Sequence, residues 1–281
     1  GLELGHTHAE KETYCPGWYR IKGYKHKYRD WKKRGHGKTD VDKAIVESCD
    51  VYFYDLAFNM GIDNINEYMA QFGFGTQTGA DITGEQPGVL PSRDWKRIHR
   101  EEPWYPGETL SVGIGQGFFT ITPMQLASAI ATFANQGQRM QPHLLYATQG
   151  VGTSNPQLQP YQPLNHIEIK EQKNWDKVYE SMRRVVHSKR GTARKLGKKS
   201  KYTIAGKTGT AQVYTVQQDE EYDEKSLPEH LKDHALFVAF APLEDPEIAI
   251  AVIVEHGGHG GSVAAPVAKK IMDRYLLERR G

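Results

Sequence analysis

Apolar positions follow a helical period through most of the chain and switch to a strand-like period near its end, and that switch orders the fold. At TDVDKAIVES a helix begins, with Thr39 placed to cap it, Asp42 three residues on, and Asp40 and Asp42 favouring its N-terminal dipole. VYFYDLAFNMG is apolar on nearly every side, which predicts a buried helix closed by Gly61. DNINEYMAQFG predicts a further short helix, with Asp63 as cap and Gly73 past its end. TPMQLASAIATFANQG has the fullest helix signature: Thr122 as cap, Pro123 at the first position, Gln125 completing a capping box, and Gly137 beyond. NWDKVYESMRRVVHS is amphipathic, with Val178, Met182 and Val185 on one side.

The later runs ALFVAFA and EIAIAVIVE are β-rich and joined by PLEDP, which predicts an antiparallel hairpin. KYTIAGKTGTAQVY supplies a third strand through Tyr202, Ile204, Val213 and Tyr214, and AAPVAKKIMDRYLLERR closes the chain as a helix. Residues 15–38 are predicted to be loop-rich, 74–110 a long excursion over the surface, and 138–172, with four prolines, irregular structure with short strands. Helices, then three strands, then a helix imply an α+β protein whose antiparallel sheet is covered by helices.

Composition narrows the function classes. With 281 residues the chain suits one large domain or two lobes sharing a core. A net charge of +2 gives no reason to expect nucleic acid as a partner, and the basic runs KYKHKYRDWKK and RKLGKKSK read as solvated faces. No run of about 18 apolar residues occurs to span a membrane. The start GLELG resembles the tail of a helix already under way, so the chain is expected to be a fragment.

The middle of the third strand, Lys207-Thr208-Gly209-Thr210, would gain little from packing. One reading is an edge strand with a bulge at Gly209. The other is an anion site: Lys207 gives charge, Thr208 and Thr210 give hydroxyl donors, and Gly209 lets a ligand backbone lie against the strand. Ser48-Cys49-Asp50, set between two helical runs, supplies a candidate partner motif.

Together these stretches resemble penicillin-binding proteins, whose signature joins S-x-x-K, S-D-N and K-T-G. Ser48-x-Asp50 matches the second with Asp in place of Asn, and Lys207-Thr208-Gly209 is the third. RDWKKRGHG, FNMGIDNINEYMAQFGFG, PWYPGETLSVGIGQGFFTITPMQLA and AGKTGTAQV extend the likeness over nearly the whole chain. It is similar to the transpeptidase domain of class B proteins, in particular the elongation-specific penicillin-binding protein 2. None of the ten serines has Lys three residues on, so the nucleophile motif is expected upstream of GLELG and the fragment is expected not to acylate.

The resemblance implies an about five-stranded antiparallel sheet flanked by helices, with a helical lobe. It implies a D,D-transpeptidase of acyl-serine mechanism, needing no cofactor for catalysis, that cross-links D-Ala–D-Ala stem peptides and is a β-lactam target. Ser48 would relay a proton toward the leaving group, Asp50 would orient the missing Lys or the substrate, and Lys207 would support the relay electrostatically. Thr208 and Thr210 would hold the substrate carboxylate, and the Thr210 N–H would form half of an oxyanion hole. Implied partners are a glycan polymerase and scaffold proteins of the elongation machinery, at the periplasmic face of the inner membrane behind an N-terminal membrane helix. A β-lactamase or a non-catalytic binding module are the rival readings.

Cys49 occupies the middle of the Ser-x-Asp motif, and Cys15, Asp30 and His36 precede it at intervals that suit a closed zinc site. A structural zinc would order the loop-rich segment, within a metal-binding region of residues 15–50. A Cys15–Cys49 disulfide and two unrelated buried thiols are the alternatives. His26 is the substitute if His36 is not a ligand, and EHGGHGG, with His256 and His259, reads as a flexible connection.

Overall fold

The computed structural model describes residues 1–152, 154–213 and 228–278. Tyr214, expected at the end of a strand, and Arg279 and Arg280, expected in the closing helix, lie outside the described residues. Four short strands open the chain: β1 (Thr13–Cys15), β2 (Trp18–Tyr19), β3 (Tyr28–Arg29) and β4 (Gly37–Thr39). β1 pairs with β4 and β2 with β3, both antiparallel, and loops join them. Helix α1 (Val41–Glu47) follows. Its cap is Asp40, whose carboxylate accepts the Lys43 N–H at 2.8 Å. Thr39 does not cap it, because that residue still belongs to β4 and its hydroxyl donates to the Gly37 carbonyl.

Helix α2 (Asp50–Ala70) joins the two helices expected before and after Gly61 into one element bent at that glycine, where φ is 74° and ψ 159°. A side chain at such a backbone conformation would be strained, which is why the bend falls there. The stretch expected to be an excursion instead contains α3 (Arg93–Arg100) and α4 (Pro106–Gly113). Both carry local start signals: Ser92 Oγ accepts the Trp95 N–H at 3.0 Å, while Pro106 opens α4 and Glu108 accepts the Tyr105 N–H at 2.8 Å. Charge and glycine content hid them, since α3 buries only Lys96. Helix α5 (Pro123–Ala134) has the capping box that the sequence predicts, with Thr122 and Gln125 bonded reciprocally at 3.1 and 2.9 Å.

Strands β5 (Gln138–Met140), β6 (Ala147–Thr148), β7 (Gln157–Leu158) and β8 (Pro163–His166) form two small ribbons. They lead to α6 (Gln172–His187) and the short α7 (Arg194–Gly197). Then come β9 (Ala205–Ala211), β10 (His234–Ala241), β11 (Ile248–Val254) and α8 (Ala264–Asp273). The last three strands make one antiparallel sheet of order β11-β10-β9. The resemblance implies about five strands, whereas this sheet has three among the described residues. The other strands have two to four residues each and pair in separate ribbons.

The sheet is buried on both faces: the consecutive residues Ala239, Phe240 and Ala241 of β10 are all fully buried. Phe240 meets Tyr179 of α6 and Phe133 of α5, at ring separations of 5.1 and 6.2 Å, and α8 packs on β10 and β11. Asp42 ties α1 to α6 by accepting from the Ser181 hydroxyl at 2.9 Å and pairing with Arg184. The other end of α1 meets β9 where Lys207 reaches Ser48, and that junction holds the candidate site.

Candidate active site

Ser48 ends α1 with a left-handed backbone (φ 56°, ψ 56°), and Asp50 begins α2 two residues later. A serine in this region costs roughly 1 kcal/mol, so surrounding contacts must hold it. Two do. Lys207 Nζ donates to Ser48 Oγ at 2.8 Å, and the Trp31 indole N–H donates to the Ser48 carbonyl at 2.7 Å and more weakly to that of Glu47 at 3.2 Å. The Trp31 backbone N–H donates to Asp50 Oδ2 at 3.0 Å. Trp31 therefore grips both ends of the Ser-x-Asp turn, a role that the sequence does not reveal although the residue sits in the quoted RDWKKRGHG.

Burial pushes Lys207 down to a pKa of about 8, with the Asp50 carboxylate countering part of the drop. Burial pushes Asp50 up to about 6, and the neighbouring Asp30 adds to the rise. The site thus holds an ammonium against a hydroxyl, with a carboxylate near enough to act on the ammonium's charge.

On β9 the register pairs Lys207 with Val238, Thr208 with Phe237, Gly209 with Leu236 and Thr210 with Ala235. Strand alternation puts Lys207 and Gly209 on one face and Thr208 and Thr210 on the other. The Thr208 hydroxyl lies 2.8 Å from that of Thr192, and Thr210 is exposed. Among the described residues β9 is the edge of the sheet, so an extended peptide could add to it. Gln116 Nε2 reaches across to donate to the Thr210 carbonyl at 2.9 Å. Thr192 and Gln116 have no sequence signal of their own, because both meet the strand only through tertiary packing. The EHGGHGG turn closes onto the same strand: a Cβ at Gly260 would lie 2.0 Å from the Leu236 carbonyl oxygen and 2.6 Å from that of Gly209. The turn is hydrogen-bonded, with the His256 N–H donating to His234 Nδ1 at 3.0 Å.

Behind the Ser-x-Asp turn, Cys15, Asp30, His36 and Cys49 are all buried, with their donor atoms within 4.8 Å of one another. Cys15 Sγ is 3.5 Å from Asp30 Oδ2 and 3.6 Å from His36 Nδ1, and His36 Nδ1 is 3.4 Å from Asp30 Oδ1. Both cysteines are free, so the thiols share one site without a disulfide. Burial raises both thiol pKa values. Burial would also raise Asp30, but hydrogen bonds from His36 and from the Lys32 and Val51 N–H groups outweigh it and hold the carboxyl low. The Val51 bond, at 3.3 Å, lets Asp30 cap α2, whose own N-cap Cys49 makes no side-chain bond. His26 stands apart and exposed, against Tyr28.

Comparison with known proteins bears on this geometry. Residues 1–273 match the family described as the penicillin binding protein transpeptidase domain. The peptidoglycan D,D-transpeptidase MrdA of Acinetobacter baumannii is 49% identical over 280 residues, 100% of this chain and 41% of that protein. The crystal structure of Pseudomonas aeruginosa PBP2 in complex with WCK 5153 aligns at a TM-score of 0.86 and 45% identity, covering 100% of this chain and 57% of that one. The complex of PBP2 and MreC from Helicobacter pylori aligns at 0.82 and 33%, covering 98% and 47%. The chain therefore spans roughly half the length of these relatives.

Proposed function

Since the chain belongs to the penicillin-binding protein transpeptidase family, we propose that it carries the substrate cleft of a serine-type peptidoglycan D,D-transpeptidase. The observation that carries this reading is the 2.8 Å bond from Lys207 to Ser48, which joins two motifs 159 residues apart. Ser48 passes a proton toward the departing D-alanine, and Lys207 holds its hydroxyl and stabilises charge there. Asp50 keeps Lys207 charged. Thr208 and Thr210 take the carboxylate of a D-Ala–D-Ala stem peptide or of the β-lactam that mimics it, and Gly209 lets the peptide backbone approach β9. No serine in these 281 residues stands three positions before a lysine, so formation of the acyl-enzyme is not assigned to any of them. No cofactor enters these steps.

Residues 15–50 form a metal-binding segment in this reading. A tetrahedral zinc with bonds near 2.0–2.3 Å separates its ligand atoms by about 3.3–3.8 Å. The Cys15–His36 separation falls in that range, as does the distance from each of them to one or other Asp30 oxygen; the four donor atoms lie within 4.8 Å of one another, and two thiols with an imidazole and a carboxylate suit zinc. Zinc would be held by Cys15, Asp30, His36 and Cys49 and would supply structural order beneath the Ser-x-Asp turn.

The elongation setting follows from the likeness: the Helicobacter relative was solved with MreC, another similar chain was solved in a peptidoglycan synthase complex that coordinates polymerization and crosslinking, and a scaffold and a glycan polymerase are the corresponding partners in this reading. No helix among the described residues is long and apolar enough to cross a membrane. Placement at the periplasmic face of the inner membrane, behind an N-terminal membrane helix, rests on the likeness alone. Titration with a D-Ala–D-Ala peptide, followed by backbone amide resonances, tests the cleft. Perturbation is expected at Ser48 and Lys207 to Thr210, and perturbation confined to residues 74–100 would contradict the assignment.

A further inference from the structure

The small net charge conceals a segregation. Residues 18–38 contain nine Lys and Arg and a single acid, the buried Asp30, while residues 189–201 contain seven Lys and Arg and no acid. These two segments hold sixteen of the chain's 36 cationic side chains and one of its 34 acids, which leaves 20 cations against 33 acids elsewhere. Read singly, each run is a solvated face. The structure brings the two segments together at Glu47. Lys32 Nζ lies 3.7 Å from one oxygen of Glu47 and Arg190 Nη1 lies 3.5 Å from the other, and Glu47 is the residue before Ser48. The first segment also grips the Ser-x-Asp turn through Trp31, and the second meets the KTGT strand through the Thr192–Thr208 hydroxyl contact. Lys22, Lys25, Arg34, Lys195, Lys198 and Lys199 are exposed along them.

We propose that the two basic segments form a docking rim beside the cleft for an anionic glycopeptide polymer, a glycan strand whose stem peptides end in carboxylates. The inference rests on the cleft reading, because a strand of such stems repeats the carboxylate that the cleft takes. Repeated charge on one polymer makes many weak contacts act together, and the rim raises the local concentration of stems at Ser48 and Lys207. Exposed rings interleave with the cations: Trp18 lies under Lys27 and Arg20 at 4.8 and 5.9 Å, and Tyr24 and Trp31 are more than half exposed. Flat aromatic faces beside cations suit sugar rings carrying carboxylates. A lipid surface suits the rim less well, since the segments consist of loops, strands of two or three residues and the four-residue α7, with no amphipathic helix to lie in an interface.

The test uses soluble un-cross-linked peptidoglycan strands, the same strands with amidated carboxyls, phosphatidylglycerol vesicles, and a monomeric D-Ala–D-Ala peptide. Lys22→Gln/Lys25→Gln/Arg34→Gln and Lys195→Gln/Lys198→Gln/Lys199→Gln alter only exposed side chains, so the fold is retained. Each triple variant is expected to weaken strand binding by about fivefold at low salt and to flatten its salt dependence. Amidated strands are expected to bind like the variants, and the monomeric peptide to bind wild type and variants within about twofold. Strand binding unchanged in both variants, equal binding of amidated strands, or a preference for the vesicles would overturn the rim. Rim-dependent strand binding by a protein that ignores the monomeric peptide would uphold the rim and remove the cleft reading.

Discussion

The indole N–H of Trp31 donates to the carbonyl of Ser48 at 2.7 Å, from a loop that also carries Asp30, a member of the buried donor set. One tryptophan thus couples that set to a serine held in a left-handed turn. Trp31→Phe keeps an aromatic side chain and removes the donor, and it is expected to cost about 1 kcal/mol in denaturant unfolding. An unchanged stability would show that the turn is held by Lys207 alone.

Burial places Lys207 at a pKa of about 8 against an ordinary 10.5. The unfolded chain therefore binds more protons between those values, and stability gains as pH rises through that window. Below about pH 8 both states are charged and the desolvation cost is fully present. Lys207→Met removes that titration, so wild type should gain on the variant by on the order of 3 kcal/mol between pH 7 and pH 10.5. Unfolding free energies of the two proteins at several pH values check this, and a gap independent of pH would contradict it.

Zinc at Cys15, Asp30, His36 and Cys49 predicts one tightly held ion per chain by native mass spectrometry and none in Cys49→Ser. Free zinc at about a hundred times its dissociation constant should add about 3 kcal/mol to stability, and chelation should withdraw it. Cobalt substitution should show thiolate charge-transfer absorption. Equal stability with and without metal would restrict these residues to ordinary buried polar packing.

Gly260 allows the EHGGHGG turn to lie on the backbone of β9 and β10, where an added Cβ would meet two carbonyl oxygens. Neither can retreat as a flexible side chain could. Gly260→Ala is expected to destabilise by about 2 kcal/mol and to shift the amide resonances of Lys207 to Thr210. Resonances that stay in place would show that the turn does not shape the strand.

Much of this was legible in the chain. The hairpin, α5 with its capping box and the Ser48-to-Asp50 junction follow from local patterns, because caps and alternation act over a few residues. The donor set was legible as residue types at suitable intervals. Helices α3 and α4 were obscured by charge and glycine, although Ser92 and Pro106 mark their starts. Trp31, Thr192 and Gln116 had no local signature, since each acts on a residue 16 to 94 positions away. The convergence of two basic runs at Glu47 was likewise hidden, because it is made by α1 packing against α6.

The central claim is that Lys207 to Thr210, with Ser48, forms a carboxylate-binding cleft. Its most direct measurement is the affinity of the chain for a D-Ala–D-Ala peptide as the free acid and as the C-terminal amide, in wild type and in Thr210→Val. The account predicts that wild type prefers the acid by about tenfold, the worth of roughly one charge-assisted hydrogen bond, and that Thr210→Val loses most of that preference. Equal affinity for acid and amide in the wild-type protein would contradict it.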